Sequence, residues 1–317
     1  MTIASQSSRV VALLACLGGA AALAGESDRL SIAEQSGRLE IRIGEEDFAA
    51  YVYRDERILR PYFTNVKAPG GVQVTRHHPP VEGRDSTDHD TMHPGIALGF
   101  GDLDGHDFWR NKAAIEHVGF VERPAIRDDG RRLTFAVRLR YRAGETTVCH
   151  EIRRHTLLVR PGGYLLSYDS EFRAGDRAFA FGDQEEMGLG VRLNDALRVA
   201  GGNGRILDSQ GRTNEPQVWG KTAEWCDYSG TIDGRRAGLL VMPHPDNFRR
   251  CWFHARDYGF LAANPFGRNA FTGGEKSRIE VRPGATFRLR YGVLVYSAPP
   301  DEPLDHAAVF REYVDVE

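Results

Sequence analysis

The sequence predicts an all-β protein, an antiparallel sandwich of two facing sheets. Three observations carry this: apolar and polar residues alternate along several runs, Asp-Gly pairs punctuate the runs, and no Pro/Ser/Gly-rich linker divides the chain. Alternation sends successive side chains to opposite faces of a strand, so one face can be buried while the other stays wet. Asp-Gly tolerates the two positive-φ positions that a two-residue hairpin turn requires.

The first 24 residues are made of different material. Arg9 precedes "VVALLACLGGAAALAG", which is too short and too rich in Gly and Ala to span a bilayer, and Ala22-Leu23-Ala24 offers small residues for cleavage. Residues 1–24 are therefore expected to be a secretory signal peptide, leaving 25–317 as one β-sandwich domain, periplasmic or secreted. A lipoprotein anchored through Cys16 is the alternative, disfavoured by an apolar core of only six residues before it. No second apolar segment of membrane length follows, so no integral membrane segment is expected after signal removal. Cys149, Cys226 and Cys251 remain, an odd number without C-x-x-C, so one bridge or buried free thiols both fit.

The next unusual stretch is "RHHPPVEGRDSTDHDTMHPG" at 76–95, with four of the eleven histidines among Asp85, Asp88 and Asp90. It has no apolar run and must be a loop. His89 and His93 stand four apart, but Pro94-Gly95 follow at once, so helical chelation is not implied. A loop could still bring them to a divalent metal with a carboxylate. His77 and His78, beside Pro79, read as solvated. In "GHDFWRNKA" at 105–113 Phe108 and Trp109 stand beside Arg110, Asn111 and Lys112.

Two long runs follow. "RRLTFAVRLRYR" turns Leu133, Phe135, Val137, Leu139 and Tyr141 one way, and "GYLLSYDSEF" does the same with Tyr164, Leu166, Tyr168 and Phe172. "HEIRRH" at 150–155 is one residue too long for a zinc helix motif. In a strand its two histidines fall on opposite faces, and His155 is expected to be an exposed strand residue. "FGDQEEMGLGVRL" at 181–193 sets Glu185 and Glu186 where a strand would carry apolar residues. "PHPDNFRRCWFHARDYGFLAANPFG" at 243–267 mixes six aromatics with His, Asp, Asn and Arg. Such mixtures suit a sugar, whose C–H face stacks on rings while its hydroxyls meet fixed donors and acceptors. "TFRLRYGVLVY" closes the sheet pattern, and "LDHAAVFREYV" is the one credible helix, with Asp305 as its N-cap.

Composition excludes other classes. The chain of 317 residues is 41% hydrophobic and 27% charged with a net charge of -3, and arginines are interspersed with acids. That balance does not suit a nucleic-acid partner.

"TMHPGIALGFGDLDGHDFWRNKA", "WGKTAEWCDYSGTIDG" and "HARDYGFLAANPFG" resemble the PmoA-like family of uncharacterised exported bacterial proteins, labelled "methane oxygenase", from about Tyr51 to Tyr296. The methane monooxygenase subunit of that name is an integral membrane protein, whereas the mature chain has no spanning segment, so oxygenation of methane is not expected. "SRIEVRPGATFRLRYGVLVY" is similar to the end of galactose-mutarotase-like proteins. That resemblance implies an antiparallel β-supersandwich whose members act on or bind carbohydrates. Its epimerases place a glutamate base shortly before this element. Here "FLAANPFGRN" carries Asn264 and no carboxylate, so that base is not carried over.

Three hypotheses follow. The first is an exported carbohydrate-active enzyme, an epimerase, lyase or hydrolase, with His93, His254 and Glu186 as acid–base groups and Arg256 holding negative charge. Trp109, Trp252 and Tyr258 would stack on the sugar. His89, Arg110, Asn111, Lys112, His244, Asn247 and Asn264 would complete the binding surface, and no cofactor is implied. The second is a non-catalytic glycan-binding protein on the same scaffold. The third is a metal-dependent enzyme built on His89, His93 and a carboxylate. Loop 76–95 is expected to fold over the cleft that "WFHARDYG" lines, so that His93 and His254 face one ligand.

Overall fold

A computed structural model describes residues 28–316. The expected signal peptide, with Cys16, lies outside the described residues. Alternation builds two antiparallel sheets that face each other. In spatial order the nine-stranded sheet runs Leu30–Gln35, Arg38–Ile43, Glu46–Val52, Tyr62–Thr64, Ile96–Phe100, Met187–Arg192, Phe260–Asn264, Trp252–Arg256 and Lys221–Thr222. The eight-stranded sheet runs Arg205–Asp208, Cys226–Ile232, Arg235–Pro243, Thr286–Ala298, Gly163–Arg173, Thr146–Arg160, Arg132–Ala143 and Ala114–Arg127. This is the all-β antiparallel sandwich that the alternation predicts.

The inward faces supply the core. Leu133, Phe135, Val137, Leu139 and Tyr141 are buried against Leu98, Phe100, Leu189 and Leu261 of the opposite sheet in one continuous cluster. Asp233-Gly234 forms the expected two-residue hairpin, with φ of 50° and 73° and Ile232 paired with Arg235. Asp104-Gly105 turns between Leu103 and His106. Asp129-Gly130 instead lies in a 3-10 turn of a four-residue connection between Arg127 and Arg132. One inward face carries charge. Glu151, Arg153 and His155 alternate inward along Thr146–Arg160 and are all buried.

The helical expectation needs correction. Besides α3 (His306–Val316), there are α1 (Asn214–Val218) and α2 (Arg268–Thr272), each five residues long. Five residues are too few to show a 3.6-residue apolar period, so the sequence did not reveal them. In α3, Asp305 caps the first turn through the Ala308 amide at 2.9 Å. Val309 and Tyr313 close over Leu294 and Tyr296 on the outer face of the eight-stranded sheet. Cys149, Cys226 and Cys251 are buried free thiols. Among the described residues no helix is long and apolar enough to cross a membrane.

Candidate functional site

The site grows from two adjacent strands. In Trp252–Arg256, Phe253 and Ala255 enter the core, so Trp252, His254 and Arg256 turn to the outer face of the nine-stranded sheet. Beside it, Leu261 and Ala263 enter the core while Phe260, Ala262 and Asn264 turn outward. Over this outer face opens a cleft of about 610 Å3, inside the range of roughly 300–1,000 Å3 for small-molecule sites.

Arg256 organises the cleft. Its Nε donates to His254 Nε2 at 2.8 Å, Nη1 to Glu215 Oε1 at 2.8 Å and Nη2 to Glu185 Oε2 at 3.2 Å. Its guanidinium lies over the Trp219 ring, 5.6 Å from the centroid. Glu215 reaches this position from the start of α1, where it exchanges bonds with Asp257: its amide donates to Asp257 Oδ1 and its Oε2 accepts from the Asp257 amide, each at 2.9 Å. Partial burial opposes the Arg256 charge, but Glu215 and Glu185 outweigh it and raise the arginine's pKa.

Glu185 stands 3.5 Å from His254, Oε2 to Nε2, with 38% of its side chain exposed. Burial, reinforced by the Arg256 charge, pushes the His254 pKa down to about 3. The imidazole is therefore neutral near pH 7. Because Nε2 accepts from Arg256, its proton sits on Nδ1. Also lining the cleft, Arg110 pairs with Glu186 and donates to Gln184 Oε1 at 2.8 Å. Tyr258 completes the wall beside them.

Asn264 holds the carboxylate-bearing loop in place. Its Nδ2 donates to the carbonyls of Gln184 (2.7 Å) and Glu185 (3.0 Å), and its Oδ1 accepts from the amides of Phe266 and Gly267. With all these bonds internal, Asn264 positions Glu185 instead of meeting a ligand.

Five of the residues given a site role from the sequence line the cleft, Glu186, His254, Arg256, Arg110 and Tyr258, and so does Glu185, noted there without a role. The others stand elsewhere. Trp109 is 1% exposed and lies across the sheet face, where a Cβ on Gly190 would come within 2.6 Å of its ring; it is core, not a sugar platform. Asn111 fastens the neighbouring chain through the Leu59 amide, Arg60 and the Thr91 carbonyl. Lys112 is exposed near Asp107. Trp252, 9% exposed, is covered by Arg249 and Phe271. His244 packs on Tyr313 of α3, and Asn247 brackets both backbone groups of Arg290.

The histidine-rich loop is fastened mostly by its own polar groups. Arg76 donates to the carbonyls of Ser86 and Asp88, Arg192 to Asp88 Oδ1 at 2.8 Å, and Arg57 to Asp90. His77 is not simply solvated: its Nδ1 meets both oxygens of Asp85 at 3.0 Å, and that carboxylate is buried. The expected approach of the loop to "WFHARDYG" is met in one respect and fails in another. His93 stacks on Phe260 at 4.1 Å and His254 meets the same ring edge-on at 5.2 Å. Yet His93 is 3% exposed and does not line the cleft, and burial holds its pKa well below the usual histidine value. His89 packs toward Tyr258 at the margin. Among the described residues no group of three or more His, Cys, Asp or Glu side chains is arranged to hold a metal, although Asp88 contacts His89 at 3.0 Å. His155 is neither exposed nor at a cleft; it sits in the core among Tyr51, Phe63, Phe135 and Tyr168.

A family model matches residues 38–308 of the chain. The protein belongs to DUF6807, a family of unknown function. The DUF6807 match takes in every residue of the cleft. No curated protein matches the chain. Among solved structures it is similar to a galactose mutarotase-like protein from Lactobacillus casei ATCC 334, at 13% identity over 84% of this chain and 100% of that one, with a TM-score of 0.38. A protein from Synechocystis sp. PCC 6803 matches at 14% identity over 87% and 99%, with a TM-score of 0.34. The α-galactosidase from Lactobacillus brevis matches at 9% identity over 84% of this chain and 39% of that one, with a TM-score of 0.35. At such scores the chemistry has to be argued from the cleft itself.

Proposed function

We propose that this protein is an exported carbohydrate-active enzyme whose cleft binds a sugar or sugar derivative and whose proton-handling group is Glu185, with His254 beside it. The observation that carries this is the 3.5 Å approach of Glu185 to His254 inside a cleft of sugar size, both held by Arg256. Glu185 as a carboxylate can accept a proton, while neutral His254, protonated on Nδ1, can donate a hydrogen bond but not a proton. A step in which Glu185 takes a proton from one sugar atom and, as the acid so formed, returns it to another balances with these groups, His254 holding the geometry through hydrogen bonds. Gln184, Tyr258 and the Arg110–Glu186 pair would take the remaining hydroxyls. Export rests on the expected signal peptide, and residues 25–317 act as one domain in this proposal. The oxygenase label of the PmoA-like resemblance forms no part of it, because a wall of carboxylates and guanidiniums offers methane no apolar pocket.

A specific observation favours a second reading, non-catalytic glycan binding. Burial and Arg256 keep His254 from taking up a proton near neutral pH, so it cannot act there as a cationic acid. One experiment separates the two. The mature protein is incubated with neutral, amino, N-acetylated and acidic mono- and oligosaccharides, and read by ligand-observed NMR and by mass spectrometry of products. Turnover supports the enzyme, binding without products supports the binder, and neither binding nor turnover refutes both.

A further inference from the structure

We infer that the cleft selects a cationic amino sugar, one bearing a free ammonium group, over neutral and acidic sugars; this rests on the carbohydrate reading above and narrows it. The first ground is charge. The cleft is lined by four carboxylates, Asp183, Glu185, Glu186 and Glu215, against two guanidiniums, Arg110 and Arg256, which leaves two formal negative charges in excess. Neither guanidinium is poised for an anionic ligand. Each nitrogen of Arg256 already has a protein acceptor, two of them carboxylates, and Arg110 is paired with Glu186.

The second ground is what remains unbonded. Asp183 spends both oxygens on the amides of Asn269, Ala270 and Ser277, and Glu215 spends both on Arg256 and Asp257. Glu186 meets Arg110 through Oε2 and is only 14% exposed, whereas Glu185, 38% exposed, meets Arg256 through Oε2 and leaves Oε1 without a donor among the described residues. His254 lines the cleft but is 4% exposed, its Nε2 bonded to Arg256 and its ring to the Glu185 backbone, so the open position is on Glu185. An amino sugar matches this vacancy, its ammonium on Glu185 Oε1. A uronate would instead bring its carboxylate into a field of its own sign, where like charges disfavour each other at short range.

The test is calorimetric titration of the mature protein with D-glucosamine, N-acetyl-D-glucosamine, D-glucose and D-glucuronate, and with the galacto series. The free amine should bind about tenfold or more tighter than its N-acetyl form, as a charge-assisted bond replaces a neutral one. That ratio should shrink as salt rises from about 20 mM to about 300 mM, because the cleft is open to screening. Glu185→Gln should bring it toward unity; if that variant does not fold, the salt series on the wild type decides alone. Binding of the hexose or hexuronate as tight as the amine would overturn this inference while leaving the carbohydrate reading intact. No binding by any sugar in either series would overturn both.

Discussion

The same three residue types meet in two places in this molecule, and only one of them can touch a ligand. Between the sheets, Arg153 binds Glu151 through two bonds, Nε to Oε1 at 2.7 Å and Nη2 to Oε2 at 2.9 Å, with Tyr141 donating to Oε2 at 2.7 Å. His155 follows two residues later, and both ionic side chains are 0% exposed. In the cleft, Arg256 binds Glu215 and Glu185, with His254 two residues before it. Both arginines are pushed up by carboxylates against the opposing effect of burial, and both histidines are pushed down, by burial first and by the neighbouring arginine second. The chemistry matches; access does not. Residue type does not mark a functional site in this fold. The decisive feature is a carboxylate oxygen that no internal donor claims and that faces open space.

The contrast can be broken most forcefully in the core. Glu151→Ala strands a buried guanidinium, and one partner lost from a buried pair costs about 3–5 kcal/mol. Denaturant unfolding should show that loss, while sugar affinity per folded molecule stays unchanged. His93→Ala comes next: removing a ring that stacks on Phe260 should cost about 2 kcal/mol by the same measurement. Turnover per folded molecule should persist, because His93 does not line the cleft.

Acid probes both regions at once. His155, His93 and His254 have folded pKa values below 6.5, the last at about 3. The unfolded chain therefore binds more protons as pH drops below about 6.5, and stability held above that value is lost as pH falls toward the folded values. Each of these histidines should contribute up to about 1.4 kcal/mol per pH unit in that window. Thermal melts at pH 7.5, 6.5 and 5.5 check this. A melting temperature flat across the series would show that these rings titrate normally. The smallest stability effect belongs to Glu185→Gln: its pairing is partly exposed, and such pairs contribute less than about 1 kcal/mol.

Much of the sandwich was legible because alternation and Asp-Gly turns are local signals that the packing of two sheets does not override. The site was less so. The sequence reading selects Glu186 over Glu185, although the two adjoin. The strand begins only at Met187, so alternation does not extend back to say which carboxylate turns toward His254. Glu215 went unremarked because "NEPQVWG" forms a helix too short to show its period. Trp109 reads as a stacking platform in the sequence because composition cannot tell an open sheet face from one already filled. Here glycines at 99 and 190 let the indole lie flat on the backbone, and that pairing is visible only in three dimensions. The histidine-rich loop misled for a related reason: its imidazoles and carboxylates mostly answer one another or nearby arginines.

One titration tests the central claim most directly. Wild-type protein and Glu185→Gln are titrated calorimetrically with the tightest sugar from the panel, beside unfolding curves for both. If the open oxygen of Glu185 makes this cluster a ligand site, the variant should unfold within about 1 kcal/mol of wild type yet bind at least about tenfold more weakly. A folded variant that binds the sugar as tightly as wild type would contradict it, and would place the ligand away from Arg256 altogether.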